Sequence, residues 1–161
     1  MKRSALTRKT QLVRKPPKKR TRPRPCSWGR CRSATARVVL AGDERYCVAH
    51  ARKVADKLVG DAVKLRDRRC VSCGATESLQ YAHVHSRGMR YIQYDLDAAL
   101  TLCSGCHYKY TMRPALWSVF VEENYSGLWT RLLHREMAGI RRGDSVDLAE
   151  VIRTFRQRSA A

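Results

Sequence analysis

The sequence contains no long hydrophobic run, and no stretch of about 18 apolar residues is found. A membrane-spanning helix is therefore not expected. The N-terminus also lacks the apolar segment of a secretory signal, so we expect a cytoplasmic, reducing environment. Acidic residues are scarce too, 14 against 33 Lys and Arg in 161 residues. This balance argues against a protein that handles cationic substrates.

The chain is instead strongly basic, with a formal net charge of +19 and a pI near 10.3. Clustered Lys and Arg bind polyanions favourably. Nucleic acid, and DNA in particular, is therefore the first partner that the composition suggests. A protein that binds a membrane surface is the second. A ribosome-associated zinc protein is a third hypothesis that rests on charge alone.

Residues 1–25 hold eleven of the basic residues, four prolines and no acid. Self-repulsion and the small number of apolar side chains oppose a packed structure, so we predict a disordered basic arm. Its simplest interpretation is a solvated tail. The remaining residues still carry +8, which favours an arm that wraps phosphates without reading sequence.

The rest of the chain predicts a small α+β fold stapled by zinc. Residues 26–69 are expected to form an N-terminal zinc module with a short hairpin and a linking helix over 48–68, whose apolar stripe is Val54, Leu58, Ala62 and Leu65. Residues 70–112 indicate a strand, a loop, a strand and a short helix. Residues 113–161 form a C-terminal helical segment whose periodic apolar residues predict core faces.

The stronger metal signal is the second cluster, in which Cys70-x2-Cys73 is followed by Cys103-x2-Cys106. Two such knuckles let four thiolates converge on one tetrahedral zinc ion. The spacing alone also permits a rubredoxin-like iron site, and the simplest alternative is a set of free buried thiols.

The first cluster is Cys26-x4-Cys31 followed by Cys47-x2-His50, and it predicts a second structural zinc site. With it, every one of the seven cysteines is assigned. The competing interpretation places His50 on the surface of the following helix. Structural zinc would also supply folding energy to a chain with few large apolar residues in its first 110 positions.

Three further histidines accompany the second cluster. His83 and His85 are two apart on a predicted strand and so share a face, and His107 directly follows Cys106. Surplus imidazoles beside a complete four-cysteine site indicate acid–base residues or a second metal site. Simple packing or solvent exposure is the alternative.

Residues 26–130 resemble HNH endonucleases, the ββα-metal or His-Me finger group, in particular the zinc-stapled phage type that includes NinG-like recombination proteins. The matching segments are Cys70-Val-Ser-Cys73, Leu79-Gln-Tyr-Ala-His83-Val-His-Ser-Arg87, Asp95-Leu-Asp97 and Leu102-Cys-Ser-Gly-Cys-His107. The resemblance implies a ββα-metal core and hydrolysis of DNA phosphodiester bonds in phage recombination or processing. It also implies the cytoplasm of the host cell if the chain is phage-encoded.

The resemblance also implies catalytic roles. His83 matches the general base that activates water, and His107 matches a ligand of a catalytic divalent cation, Mg²⁺, Mn²⁺ or a similar ion. His85 is a candidate second ligand, and Asp95 or Asp97 is a weaker one. The N of the pattern is Ala98 here, and Ala82 precedes the first His. These two positions favour the alternative, a catalytically inactive zinc-dependent nucleic-acid-binding protein.

Basic residues near these motifs are candidates for holding backbone phosphates, or form a solvated basic face: Arg87, Arg90, Lys109 and Arg113. Four tyrosines near the same motifs are candidates for stacking on bases, but we expect at least half of them to cover the core: Tyr91, Tyr94, Tyr108 and Tyr110. Oligomeric state does not follow from the sequence.

Overall fold

The structure, a computed structural model, describes residues 26–29, 31, 38–86, 88–143 and 145–160. The predicted basic arm, residues 1–25, and the candidate phosphate ligand Arg87 lie outside this range.

Within that range the chain is a small α+β protein with two antiparallel two-stranded sheets and five α-helices. The elements in chain order are β1 (Val38–Ala41), β2 (Glu44–Cys47), α1 (Val48–Asp67), β3 (Leu79–His83), β4 (Ala99–Cys103), α2 (Ser104–Met112), α3 (Pro114–Asn124), α4 (Leu128–Arg142) and α5 (Leu148–Ala160). The predicted order of strand, loop, strand and helix in residues 70–112 is confirmed.

The two hairpins differ mainly in how their strands are joined. Strands β1 and β2 are linked by the two residues Gly42 and Asp43, and Gly42 has φ +64, a conformation that glycine adopts without strain. Strands β3 and β4 pair from Leu79 opposite Cys103 to His83 opposite Ala99. Fifteen residues, 84–98, connect them and include a short 3-10 turn at Leu96–Ala98.

Helix α1 is the central element, because it packs against β3–β4 on one side and against α5 and the first hairpin on the other. Its buried residues are Ala51, Ala55, Val59, Gly60 and Val63. Three members of the predicted stripe, Val54, Leu58 and Ala62, are half-buried and pack against the core. The fully buried face lies one position further along the chain, and the fourth member, Leu65, is 70% exposed. The inner face of α1 carries small residues because the neighbouring strands and α5 approach the helix closely.

Gly60 shows how close that approach is. A Cβ atom at this position would lie 2.6 Å from Cδ1 of Tyr81 on β3. The glycine costs helix propensity but allows the strand to pack directly against the helix. The main core lies on the other face of β3–β4. There Leu102 of β4 and Val84 pack with Trp117 of α3 and Leu132 of α4.

The predicted apolar faces of the C-terminal helices are largely confirmed. Trp117 and Val121 of α3, Leu132 of α4, and Ile152 and Phe155 of α5 are all buried. None of the helices in the described part of the chain has the length and apolarity needed to cross a bilayer.

Candidate metal centres and basic surface

The second cluster brings its four cysteines together from two tight turns. Cys70 and Cys73 belong to the turn before β3, in which the Gly74 N–H donates to the Cys70 carbonyl over 2.8 Å. Cys103 ends β4 and caps the N-terminus of α2, and Cys106 lies one turn into that helix. The four sulfur atoms all lie within 4.8 Å of one another.

The spacing of these sulfurs fits a tetrahedral ion. Zinc–sulfur bonds of about 2.3 Å place neighbouring sulfurs about 3.8 Å apart in a regular tetrahedron. The Sγ atoms of Cys73 and Cys103 are 3.7 Å apart, and none of the seven cysteines is in a disulfide. The donor set and its geometry can therefore hold a structural zinc ion.

The protonation of these thiols is uneven. Burial raises the pKa of the Cys70 thiol, but backbone hydrogen bonds, led by those at Cys103 and Cys73, outweigh it and lower the pKa to about 7. Burial and the sulfur of Cys73 raise the pKa of Cys106 to about 12. One thiolate therefore forms readily, and further negative charge beside it requires a cation.

The first cluster is assembled in the same way, with His50 as the fourth ligand. The His50 Nδ1 atom lies 3.2 Å from the sulfur of Cys47 and 3.5 Å from that of Cys26, and the sulfurs of Cys31 and Cys47 are 4.0 Å apart. Trp28 stacks parallel to the His50 ring at 5.0 Å. These four side chains also form a set that can bind zinc.

The two clusters share one local plan. In each, a strand ends at a cysteine that is the N-cap of the next helix, Cys47 for α1 and Cys103 for α2. The fourth ligand follows three residues later, on the first helical turn, as His50 or Cys106. We call residues 26–67 the first cysteine unit and residues 70–112 the second cysteine unit.

His83 is the last residue of β3 and is half-buried. Its ring meets Tyr81 edge-on at 5.2 Å, on the strand face that contacts α1. The strand ends here because the Trp117 indole N–H donates to the carbonyls of both His83 and Val84, at 3.2 and 3.1 Å. Trp117 therefore fixes the position of the backbone that carries His83.

His107 is held by a partner that the sequence analysis did not identify. Its Nδ1 atom lies 2.6 Å from Oε1 of Gln80. An amide oxygen only accepts, so His107 Nδ1 donates this hydrogen bond. Gln80 and His83 are three apart on β3, so their side chains leave the strand on opposite faces. Among the described residues, His83 and His107 belong to no group of three or more potential metal ligands.

His85 packs in the core. It is 7% exposed, its ring contacts Trp129 at 4.0 Å, and its Nε2 donates to the Trp129 carbonyl over 3.0 Å. The expectation that it shares a strand face with His83 was wrong, because β3 ends at His83 and the chain then bends. Its role as a cation ligand stays a prediction.

Of the other positions that the resemblance relates to a catalytic cation, two are alanines and two are aspartates that pair with an arginine. Ala82 and Ala98 are buried in the main core. Asp95 and Asp97 both pair with Arg135 of α4, at 2.6 and 3.0 Å. Among the described residues, sets of three or more potential ligands occur only in the two cysteine clusters. The described residues therefore offer no such set of ligands for a catalytic cation.

Three of the four basic candidates lie in the described chain, and all three are exposed. Arg90, Lys109 and Arg113 are exposed, and none of them pairs with an acid in the described chain. Lys109 Nζ lies 5.2 Å from the ring centre of Tyr110. Of the four tyrosines, Tyr110 is buried, Tyr91 and Tyr94 are half-buried, and Tyr108 is 70% exposed. The expectation that at least half of them cover the core is confirmed.

The connection 84–98 is fixed by residues that carry no motif. The buried Glu136 carboxylate of α4 accepts the backbone N–H groups of Tyr91 and Ile92, at 2.8 and 3.3 Å. A Glu in a basic helix gives no sequence signal of such a role, since its partner lies 44 residues away.

Comparison of the chain with protein-family models, with curated proteins and with solved structures finds no match in any of the three.

Proposed function

We propose that this protein binds nucleic acid, with DNA as its partner, and that two structural zinc ions hold its fold. One observation carries the proposal: exposed cations without acidic partners remain on a body that has +8 outside the basic N-terminal segment. Binding of such cations to the phosphates of a nucleic acid is favourable because it releases condensed counterions.

The contrast with the paired cations supports this interpretation. Arg66, Arg135 and Arg156 hold the fold together through carboxylates on the same or distant elements. No such ion pair in the described chain involves Arg90, Lys109 or Arg113. Exposed cations without an acidic partner in the described chain are available to an external anion.

In this proposal zinc is required to hold α2 in place, not for chemistry. The second cluster joins the turn before β3 to the start of α2, and Lys109 lies on that helix. Removing the metal would release α2 from the hairpin, so DNA binding should weaken after chelation. Thiolate ligands must be deprotonated, so zinc affinity should also fall as the pH falls.

The test is fluorescence anisotropy with a labelled DNA duplex at several salt concentrations. Each of Arg90→Gln, Lys109→Gln and Arg113→Gln should weaken binding and reduce the salt slope by about 1. Lys57→Gln is the matched control, because Lys57 is equally cationic and exposed but pairs with Asp61. Equal behaviour of the three variants and the control would contradict the proposal.

A second candidate is the metal-dependent HNH endonuclease that the resemblance implies. It is favoured by the confirmed strand–loop–strand–helix order, with His83 at the end of β3 and His107 at the start of α2. In this proposal the neutral His83 imidazole takes a proton from water as that water attacks phosphorus, and the bond to the leaving oxygen breaks.

Cleavage assays separate the two candidates. Plasmid and branched DNA are incubated with the protein and Mg²⁺, Mn²⁺, Ni²⁺ or Zn²⁺, beside the His83→Ala variant. An endonuclease cleaves with at least one metal and loses cleavage in the variant. Binding without cleavage under every metal would leave the non-catalytic DNA-binding protein, and cleavage that survives in His83→Ala would remove His83 as the base.

A further inference from the structure

A cleft with a volume of about 1070 Å³ is lined by none of the ligands of the two cysteine clusters, although Val48 in its lining lies between Cys47 and His50 of the first cluster. Its walls come from the first hairpin, the start of α1, the connection 84–98 and the start of α5. Its size is that of sites that enclose small organic ligands. No motif identified in the sequence points to it.

The charged lining favours an anion. Arg52 of α1 and Arg90 of the connection both line the cleft, are exposed, and pair with no acid in the described chain. Asp147 is an acid in the lining, but its carboxylate accepts the backbone N–H groups of Ala149 and Glu150, at 2.9 and 3.2 Å. Guanidinium groups recognise phosphate through paired hydrogen bonds.

The rest of the lining suits a planar group with polar edges. Tyr91 is held on one side by Gly139, where a Cβ atom would lie 2.5 Å from the ring, and its backbone N–H is bound by Glu136. The Gln93 side chain lines the cleft and makes no hydrogen bond within the described residues. A fixed aromatic ring and an available amide can contact the face and the edge of a nucleobase.

We propose that this cleft binds one nucleotide unit of a single-stranded nucleic acid, with its phosphate between Arg52 and Arg90 and its base at Tyr91 and Gln93. The inference deepens the proposed function, on which it rests, because it adds a single-strand subsite to a surface otherwise expected to hold duplex phosphates.

The probes are thymidine monophosphate, observed by saturation-transfer NMR, and a short labelled thymidine oligonucleotide, observed by anisotropy. The double variant Arg52→Gln with Arg90→Gln should weaken oligonucleotide binding by about 10-fold to 100-fold and abolish the mononucleotide signal. The matched control, Arg69→Gln, removes an exposed cation two residues beyond the end of α1, on the order of 20 Å from Arg52 by the helix rise, and should change little. Zinc content and thermal melting verify that the variants are folded.

The outcomes separate this inference from the proposed function. Lost mononucleotide binding in the double variant, with duplex binding weakened no more than in Arg90→Gln alone, supports the cleft. Mononucleotide binding that depends on the two arginines, in a protein that binds no duplex, supports the cleft and contradicts the wider proposal. A double variant that equals Arg69→Gln with both probes, or a mononucleotide displaced equally well by inorganic phosphate, overturns the nucleotide subsite.

Discussion

The two cysteine units are built alike and differ in what joins their strands. Each has a turn with two cysteines, an antiparallel hairpin, a strand that ends at a ligand cysteine, and a helix with the fourth ligand on its first turn. The first hairpin turns in two residues, whereas the second inserts residues 84–98. The metal-binding plan thus tolerates a long insertion, because its ligands lie at the other end of the hairpin.

The two units also differ in role: the first forms the centre of the fold, and the second carries the residues for which we propose a binding role. The first unit continues into α1, a 20-residue helix that forms the centre of the fold. The second unit has a nine-residue helix, and its insertion carries Arg90, Tyr91 and Gln93. That insertion depends on α4 for its position through Glu136, Arg135 and Gly139. Connections held on a rigid frame are where binding residues concentrate.

The largest effect is expected from removing a zinc ligand of the second unit. Cys70→Ser should reduce bound zinc from two ions to one and cost more than about 4 kcal/mol, because Cys70 is buried in the main core and its metal joins the hairpin to α2. Cys26→Ser should also lose one zinc ion, but with a smaller loss of stability, since its unit is braced by α5.

Metal analysis and urea unfolding check this pair. If the two variants lost the same stability, or if neither lost zinc, the comparison between the units would fail.

The next effect tests the support of the insertion. Gly139→Ala places a Cβ atom 2.5 Å from the Tyr91 ring, so the ring or the connection has to move. We expect about 1–2 kcal/mol of destabilisation after the helix-propensity gain, with weaker binding at the cleft. Gly105→Ala in α2 meets nothing within 4 Å and should be neutral or stabilising by up to about 1 kcal/mol. Thermal melting that ranks the two variants in reverse would refute the close approach.

A moderate effect is expected where the first unit meets the second. The Asp67 carboxylate, at the end of α1, accepts the Arg66 guanidinium at 2.7 Å and the Thr101 N–H of β4 at 2.8 Å. Burial raises the pKa of Asp67, but these hydrogen bonds outweigh it and hold the pKa below its usual value. Asp67→Asn should cost about 1–2 kcal/mol at neutral pH.

The pH dependence of that cost follows from the sign of the shift. A lowered folded pKa gives stability that is present above the unfolded value of about 4 and is lost as the pH falls through the folded pKa. The stability difference between wild type and Asp67→Asn should therefore shrink in acid. Urea unfolding at several pH values, with bound zinc measured at each pH, gives this difference. A stability difference independent of pH would contradict the role of the carboxylate.

The smallest effect is expected at Tyr94, which packs between α1 and α5. Its buried hydroxyl makes no hydrogen bond in the described chain, and burial raises its pKa to about 12. Tyr94→Phe should leave stability unchanged or raise it by about 1 kcal/mol, because an unsatisfied polar group leaves the core. Thermal melting checks the sign, and mononucleotide binding should stay the same.

The sequence predicted the parts of the molecule that depend on short spacings. The two cysteine clusters, the strand–loop–strand–helix order and the apolar faces of α3 and α5 follow from neighbours within a few residues, and the structure contains all of them. Most of the predicted stripe of α1 packs against the core, but its fully buried face lies one position away, because two neighbouring surfaces, not one, pack against its small residues. No local pattern reveals that Gly60 has to admit the ring of Tyr81.

The chain alone therefore determined its charge, its ligand sets and the elements that carry them, since these rest on composition and local periodicity. Tertiary structure decided what the histidines and the insertion do. Packing against α4 drew His85 into the core, Gln80 oriented His107, and four separated segments formed the cleft with Arg52 and Arg90. Such relationships join residues that are distant along the chain, and only close packing brings them together.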